Sequence, residues 1–251
     1  MLFFKRILNF TRETAAQSEK RHAKRYAVSP DSPVEASLTI NRREQGSRLV
    51  NISSSGISLE IQSIMEIAVG ASGRLKLTLD DIELSVGVQL AHVSLNLGYT
   101  LLGLELKFDN FDTKGSYLQL LEPIAIGQGL TPGDPNLVRE KESGISTVLF
   151  HGPGNALLTV WRDTATQNIR SFELRMHDYY VRSGPSAPNL DIFTCEEQSA
   201  EHKSGYDVPA LKRADADYGE ILQLYRWVVP HLNRKLPADV RSCLKLYASL
   251  R

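Results

Sequence analysis

Between residues 34 and 108 the chain alternates apolar and polar residues in six short runs. A period of two suits an extended strand that buries one face and wets the other. Val34, Ala36, Leu38 and Ile40 mark the first run, and Leu49-Val50-Asn51-Ile52 is the second. Gly56 to Ile61 and Gly73 to Leu79 alternate cleanly. Asp80-Asp81 then reads as a turn into Ile82–Leu90, and Leu101–Phe108 is the sixth run. Six strands with short turns predict a small antiparallel barrel. A helix from about Thr113 to Leu121 is placed to close it.

The rest of the 251 residues exceeds what one small barrel uses, so two domains are expected. Residues 1–18 carry Phe3, Phe4, Ile7, Leu8 and Thr11 at helical spacing and read as an amphipathic helix. Glu19 to Pro33 is polar and ends in Ser29-Pro30-Asp31-Ser32-Pro33, which excludes regular structure there. Residues 126–139, with the Gly- and Pro-rich stretch 127–136, read as a linker. Residues 140–251 alternate again at 146–150, 156–161, 169–176 and 178–182, with His151–Asn155 as a turn. A polar loop is expected over 184–214, then helices at Tyr218–Leu232 and Ala238–Leu250. The fold class is therefore mainly β with α: an N-terminal six-stranded antiparallel barrel over 19–125 and a small C-terminal α+β domain.

Net charge is zero, which gives no global pull toward nucleic acid or anionic lipid. The charge is unevenly placed, however. Residues 1–48 hold ten Lys or Arg against five acids, a net +5 that leaves −5 on the remainder. A local basic patch in a neutral protein fits a small anion better than a long polyanion, and no DNA partner is expected.

Two motifs sharpen this. Arg21-His22-Ala23-Lys24-Arg25 is an R-x-x-x-R just before the first strand. Asn51-Ile52-Ser53-Ser54-Ser55-Gly56 is an N-x-S-x-x-G between two strands. Each arginine presents a planar fork of donors that matches phosphate or the O6/N7 edge of guanine. Asn51 and Ser53 supply short polar groups for the rest of a guanine edge, and Gly56 lets backbone turn sharply or approach a ligand. Lys20 and Lys24 are further possible contacts, with Lys24 adding charge only.

The pair of motifs, in this order and set among these strands, resembles the signature of the PilZ domain, the bacterial receptor module for cyclic di-GMP. The resemblance covers about residues 19–125, half the chain, and Gly103-Leu104 with Lys107-Phe108 looks like the family's closing strand. It implies that Arg21 and Arg25 grip phosphate and guanine from the N-terminal segment, while Asn51 and Ser53 bond guanine from the barrel and Gly56 holds the turn. It also implies an effector that turns nucleotide level into a conformational or protein-interaction output in motility, adhesion or biofilm control. The competing reading is a structural adaptor for pili or flagella whose barrel docks proteins without binding nucleotide. A protein partner is expected through the C-terminal domain, which resembles no family, or through the N-terminal helix.

Catalysis is not expected. His151-Gly-Pro-Gly-Asn lacks the Lys and Ser/Thr of a phosphate-binding loop. Ser171, His177 and Asp178 are near neighbours in strands, where alternating faces do not assemble a triad. The six histidines are scattered, and Cys195 and Cys243 have no metal-ligand spacing, so neither metal nor cofactor is expected beyond the ligand itself. No apolar run reaches the roughly twenty residues that span a bilayer, and no signal peptide is legible, which points to the cytoplasm.

Overall fold

A computed structural model describes residues 23–80, 82–134, 143–183, 189–195, 211–214 and 217–249. The helix expected over 1–18 lies outside them, as do Lys20 and Arg21. The chain divides into two compact units, 1–124 and 125–251.

The first unit is a closed six-stranded antiparallel barrel. Its strands are β2 (Glu35–Ile40), β3 (Arg43–Ile52), β4 (Gly56–Ile61), β5 (Ser72–Leu79), β6 (Ile82–Asn96) and β7 (Tyr99–Lys107), preceded by the two-residue β1 (Tyr26–Ala27). The spatial order is β1-β3-β2-β5-β6-β7-β4, and pairing of β3 with β4 closes the ring. Closure removes the exposed edges that an open sheet of this size would carry. The alternation seen in the sequence is what fills the interior. Leu38, Ile52, Leu59, Leu75, Leu77, Val86, Leu90 and Leu102 are each 2% exposed or less.

Two strands are longer than their alternation suggests. β3 starts at Arg43 rather than Leu49, because β2 returns through the two-residue turn Asn41-Arg42 and pairs Ile40 with Arg43. Both turn residues have positive φ, 53° and 62°, as the hairpin twist requires. β6 runs on to Asn96 and turns at Leu97-Gly98 into β7.

Helix α1 spans Phe111–Gly129, well beyond the expected 113–121. Asn110 starts it: its side-chain oxygen accepts from the Thr113 backbone N–H at 2.8 Å and the Thr113 hydroxyl at 3.0 Å. Pro123, a residue type that ordinarily breaks a helix interior, lies inside this one. Burial of Tyr117, Leu120, Leu121 and Ile124 in the barrel's core outweighs the hydrogen bond that proline removes.

The second unit is a seven-stranded antiparallel meander, β8 to β14, in sequence order. Its strands are β8 (Thr131–Pro132), β9 (Ile145–His151), β10 (Leu157–Asp163), β11 (Ile169–Met176), β12 (Tyr179–Ser183), β13 (Leu190–Cys195) and β14 (Leu211–Arg213). Two helices follow, α2 (Tyr218–Val228) and α3 (Ala238–Ser249). The polar loop expected over 184–214 therefore contains two strands. The signal was short: Leu190 and Ile192 are buried two apart, with Ile192 opposite Val181. Likewise, Gly127–Gly129 of the stretch read as linker are helical, and Thr131–Pro132 is a strand. A Cβ at Gly127 would sit 2.6 Å from the Val228 carbonyl oxygen, so packing within this unit explains that glycine. Aromatic rings tie helices to sheet: Phe172 stacks on Tyr225 at 6.2 Å and meets Tyr247 edge-on at 5.2 Å.

His231 is 1% exposed, and burial pushes its pKa down from 6.5 to about 4. The unfolded chain binds that proton first, so this contribution to stability is present above pH 6.5 and lost as pH falls toward 4. The second unit is expected to melt earlier across that window. Trp161 and Trp227, which both lie in it, give the fluorescence signal to follow.

Candidate ligand-binding site

Three of the five motif residues stand at the β3–β4 turn. The turn is held by the motif itself. The Ser53 backbone N–H donates to the Gly56 carbonyl at 2.9 Å. The Ser53 hydroxyl accepts from the Gly56 N–H at 3.1 Å and donates to the Gly56 carbonyl at 3.1 Å. Ser53 is only 3% exposed, so its hydroxyl is spent on the turn. Gly56 meets a close backbone approach, but from within the barrel: a Cβ there would lie 2.9 Å from the Leu104 carbonyl oxygen of β7. No side chain fits without parting the two strands.

The other side of the turn is anchored by α1. The Tyr117 hydroxyl donates to the Ser53 carbonyl at 2.5 Å, and its ring packs against Phe108 with centroids 5.4 Å apart. Tyr117 is fully buried, which pushes its pKa well above 10 and keeps the hydroxyl protonated as a donor. Nothing in the motif announces this residue, sixty-four positions away.

Asn51 presents differently. β3 carries a bulge between Leu49 and Asn51, where it pairs with β4. Leu49 and Ile52 are both buried, and the extra residue between them leaves Asn51 on the outer face. No hydrogen bond to its side-chain amide forms among the described residues. One outward position before it, Arg48 is already committed to Glu60 at 2.6 Å.

Arg25 arrives beside this turn through β1. Tyr26 pairs with Ile52 and Ala27 with Asn51, and the Val28 N–H donates to the Val50 carbonyl at 2.9 Å. Continuing that register sets Arg25 across from Ser53. Arg25 is exposed and forms no ion pair with any described residue. By contrast Arg74, Lys76 and Lys107 on the barrel are each paired with an acid, at 3.2, 2.6 and 2.7 Å. Lys24 rests its ammonium 5.2 Å from the Tyr26 ring centroid. The structure thus brings Arg25, Asn51, Ser53 and Gly56 together, while Arg21 and Lys20 lie outside the described residues.

The arrangement offers cationic and amide groups with no acid–base pair or nucleophile set among them. No group of three or more His, Cys, Asp or Glu able to hold a metal occurs among the described residues. No helix among them is long and apolar enough to cross a membrane.

Removing the Ser53 hydroxyl tests how far the turn depends on it. Ser53→Ala leaves the Gly56 N–H without its side-chain acceptor, an expected loss of about 1 kcal/mol of barrel stability. Amide hydrogen exchange of β4 should report it as faster exchange at Gly56 than at Leu59.

Residues 19–122 match the family model of the PilZ domain. Solved structures similar to this chain include the Klebsiella pneumoniae MrkH–c-di-GMP complex, at 15% identity and a TM-score of 0.35, covering 41% of this chain. That match spans half the length of MrkH. The PilZ domain of Escherichia coli YcgR with c-di-GMP matches at 12% identity and a TM-score of 0.33, covering 38% of this chain and 84% of that one. Borreliella burgdorferi PlzA in complex with c-di-GMP matches at 13% identity and a TM-score of 0.29, covering 95% of this chain and 98% of that one. No curated protein matches the sequence.

Proposed function

We propose that this chain, whose residues 19–122 are a PilZ domain, is a receptor for cyclic di-GMP that passes nucleotide level on as a change of conformation or of protein contacts. The observation that carries the reading is the β1–β3 register, which delivers the second arginine of R-x-x-x-R to the N-x-S-x-x-G turn. Arg21 and Arg25 take phosphate and guanine. Asn51, on the outer face with no hydrogen bond to its amide among the described residues, bonds a guanine edge. Ser53 and Gly56 fix the turn from which Asn51 projects, and Lys20 and Lys24 add positive potential.

The ligand then bridges two parts of the chain, the segment before β1 and the barrel. Its affinity difference between the bridged and unbridged states is all that can drive an output. The division of labour we propose is a binding domain over 19–125, with residues 1–18 and 140–251 as the surfaces that meet a protein partner in motility, adhesion or biofilm control, joined through 126–139. No chemical step is assigned to the protein. The test is thermal unfolding with cyclic di-GMP, GTP or cyclic di-AMP added. A ligand that binds only the folded state raises the midpoint with concentration. Stabilisation by cyclic di-GMP alone supports the receptor. No stabilisation by any of the three favours the docking adaptor for pili or flagella.

A further inference from the structure

The barrel carries a second bulge that mirrors the first. On β6, Leu90 pairs with Leu104 and His92 with Gly103, so Ala91 is the extra residue. Leu90 is buried and Val93 packs against the core, which leaves His92 exposed on the outer face. The same phase shift sets Asn51 outward between Leu49 and Ile52. Bulges of this kind re-aim a side chain and recur beside binding sites.

The two re-aimed residues belong to one row. Asn51 pairs with Ser58, Ser58 with Gly103, and Gly103 with His92. Three strand spacings separate the ends, roughly 14 Å. Between them the strip holds only the hydroxymethyl of Ser58 and the bare backbone of Gly103. A Cβ at Gly103 would come within 3.2 Å of the His92 Cβ, so the gap beside the imidazole is built in. The outcome is a strip of the barrel's outer surface with little side-chain bulk, an amide at one end and an aromatic ring at the other. An exposed aromatic ring beside bare backbone suits a planar base, because every base has a π-face to stack.

We propose that His92 is a further ligand-contacting residue, its imidazole stacking on a nucleobase of cyclic di-GMP that lies over Ser58 and Gly103. The proposal rests on the receptor reading, and it extends the site from the β3–β4 turn across β7 to β6. Arg25 and Asn51 then hold one end of the dinucleotide while His92 holds the other.

The test titrates cyclic di-GMP into the full chain and into His92→Ala, His92→Tyr and Arg25→Ala, with the His92 ring protons followed by NMR. His92→Ala is expected to bind about tenfold more weakly, the scale of one base–aromatic stack. His92→Tyr keeps an aromatic face and is expected to bind as the wild type does. The ring protons should shift on saturation, since a stacked base imposes its ring current on them. Wild-type affinity in His92→Ala with unmoved ring protons overturns the proposal and leaves the receptor standing. Absence of binding by the wild type removes the receptor reading and this extension with it. His92 is exposed, so circular dichroism should show the variants folded as the wild type is.

Discussion

Replacing Arg21 and Arg25 together by alanine is expected to weaken cyclic di-GMP binding by at least a hundredfold. A well-formed bidentate contact between arginine and guanine is worth about 1–3 kcal/mol, and ten-fold in affinity is 1.4 kcal/mol. The two arginines grip one ligand, so their losses will not simply add. Arg25→Lys keeps the charge but not the planar fork, so it should fall between wild type and Arg25→Ala. Neither change should disturb the barrel, because Arg25 is exposed and unpaired among the described residues. Titration at two salt concentrations separates the contributions: the charge part weakens as salt rises, and the fork part persists.

The largest effect on stability is expected at Tyr117. Tyr117→Ala removes a fully buried ring, its contact with Phe108 and the donor to the Ser53 carbonyl. Aromatic-to-alanine changes of this kind cost about 3–5 kcal/mol. Tyr117→Phe keeps the ring and loses only the hydrogen bond, at about 1–2 kcal/mol for the stranded carbonyl. Both tryptophans lie in the second unit, so amide exchange on β4 and β7 is the proper readout for the barrel. Tyr117→Phe should also soften the binding turn, lowering ligand affinity in a residue that touches no ligand. The tyrosine has a further signature. Its pKa is raised in the folded state, so its contribution is intact below pH 10 and lost as pH rises beyond it. The wild type should therefore lose more barrel stability than Tyr117→Phe under alkaline conditions.

The barrel was legible in the sequence because period-two alternation is a direct consequence of one buried face. Gly56–Ile61 has the same ends in the sequence reading and in the structure. Legibility failed where tertiary pairing replaced local pattern. Arg43–Ser47 shows no alternation, yet it forms half of β3 because β2 supplies its partner. Residues beyond Leu90 fall out of phase at the Ala91 bulge, which hid both the end of β6 and the direction of His92. Pro123 carries a strong local stop signal, and core burial overrides it. Leu190–Cys195 was lost among polar neighbours.

The site was legible as a motif but not as a mechanism. Spacing picks out Asn51, Ser53 and Gly56, whereas only the fold shows that Ser53 and Gly56 shape the turn and that Asn51 projects an amide with no hydrogen bond among the described residues. Tyr117 is invisible to any local reading, since its partner is sixty-four residues distant. The pair Leu49-x-x-Ile52 and Leu90-x-x-Val93 was the one sequence hint at His92. In each, two inward residues stand three apart, a spacing that a regular strand cannot bury on one face.

On the receptor proposal, the N-terminal arginines and the β3–β4 turn form one cyclic di-GMP site. Isothermal calorimetry of the full chain with cyclic di-GMP, run beside the Arg21→Ala/Arg25→Ala variant, tests it most directly. Saturable binding in the low-micromolar range or tighter, about −8 kcal/mol or more favourable, is expected for the wild type and should disappear in the double variant. Heat-silent titration of a folded wild type, confirmed by equilibrium dialysis, would contradict it, as would undiminished binding in the variant.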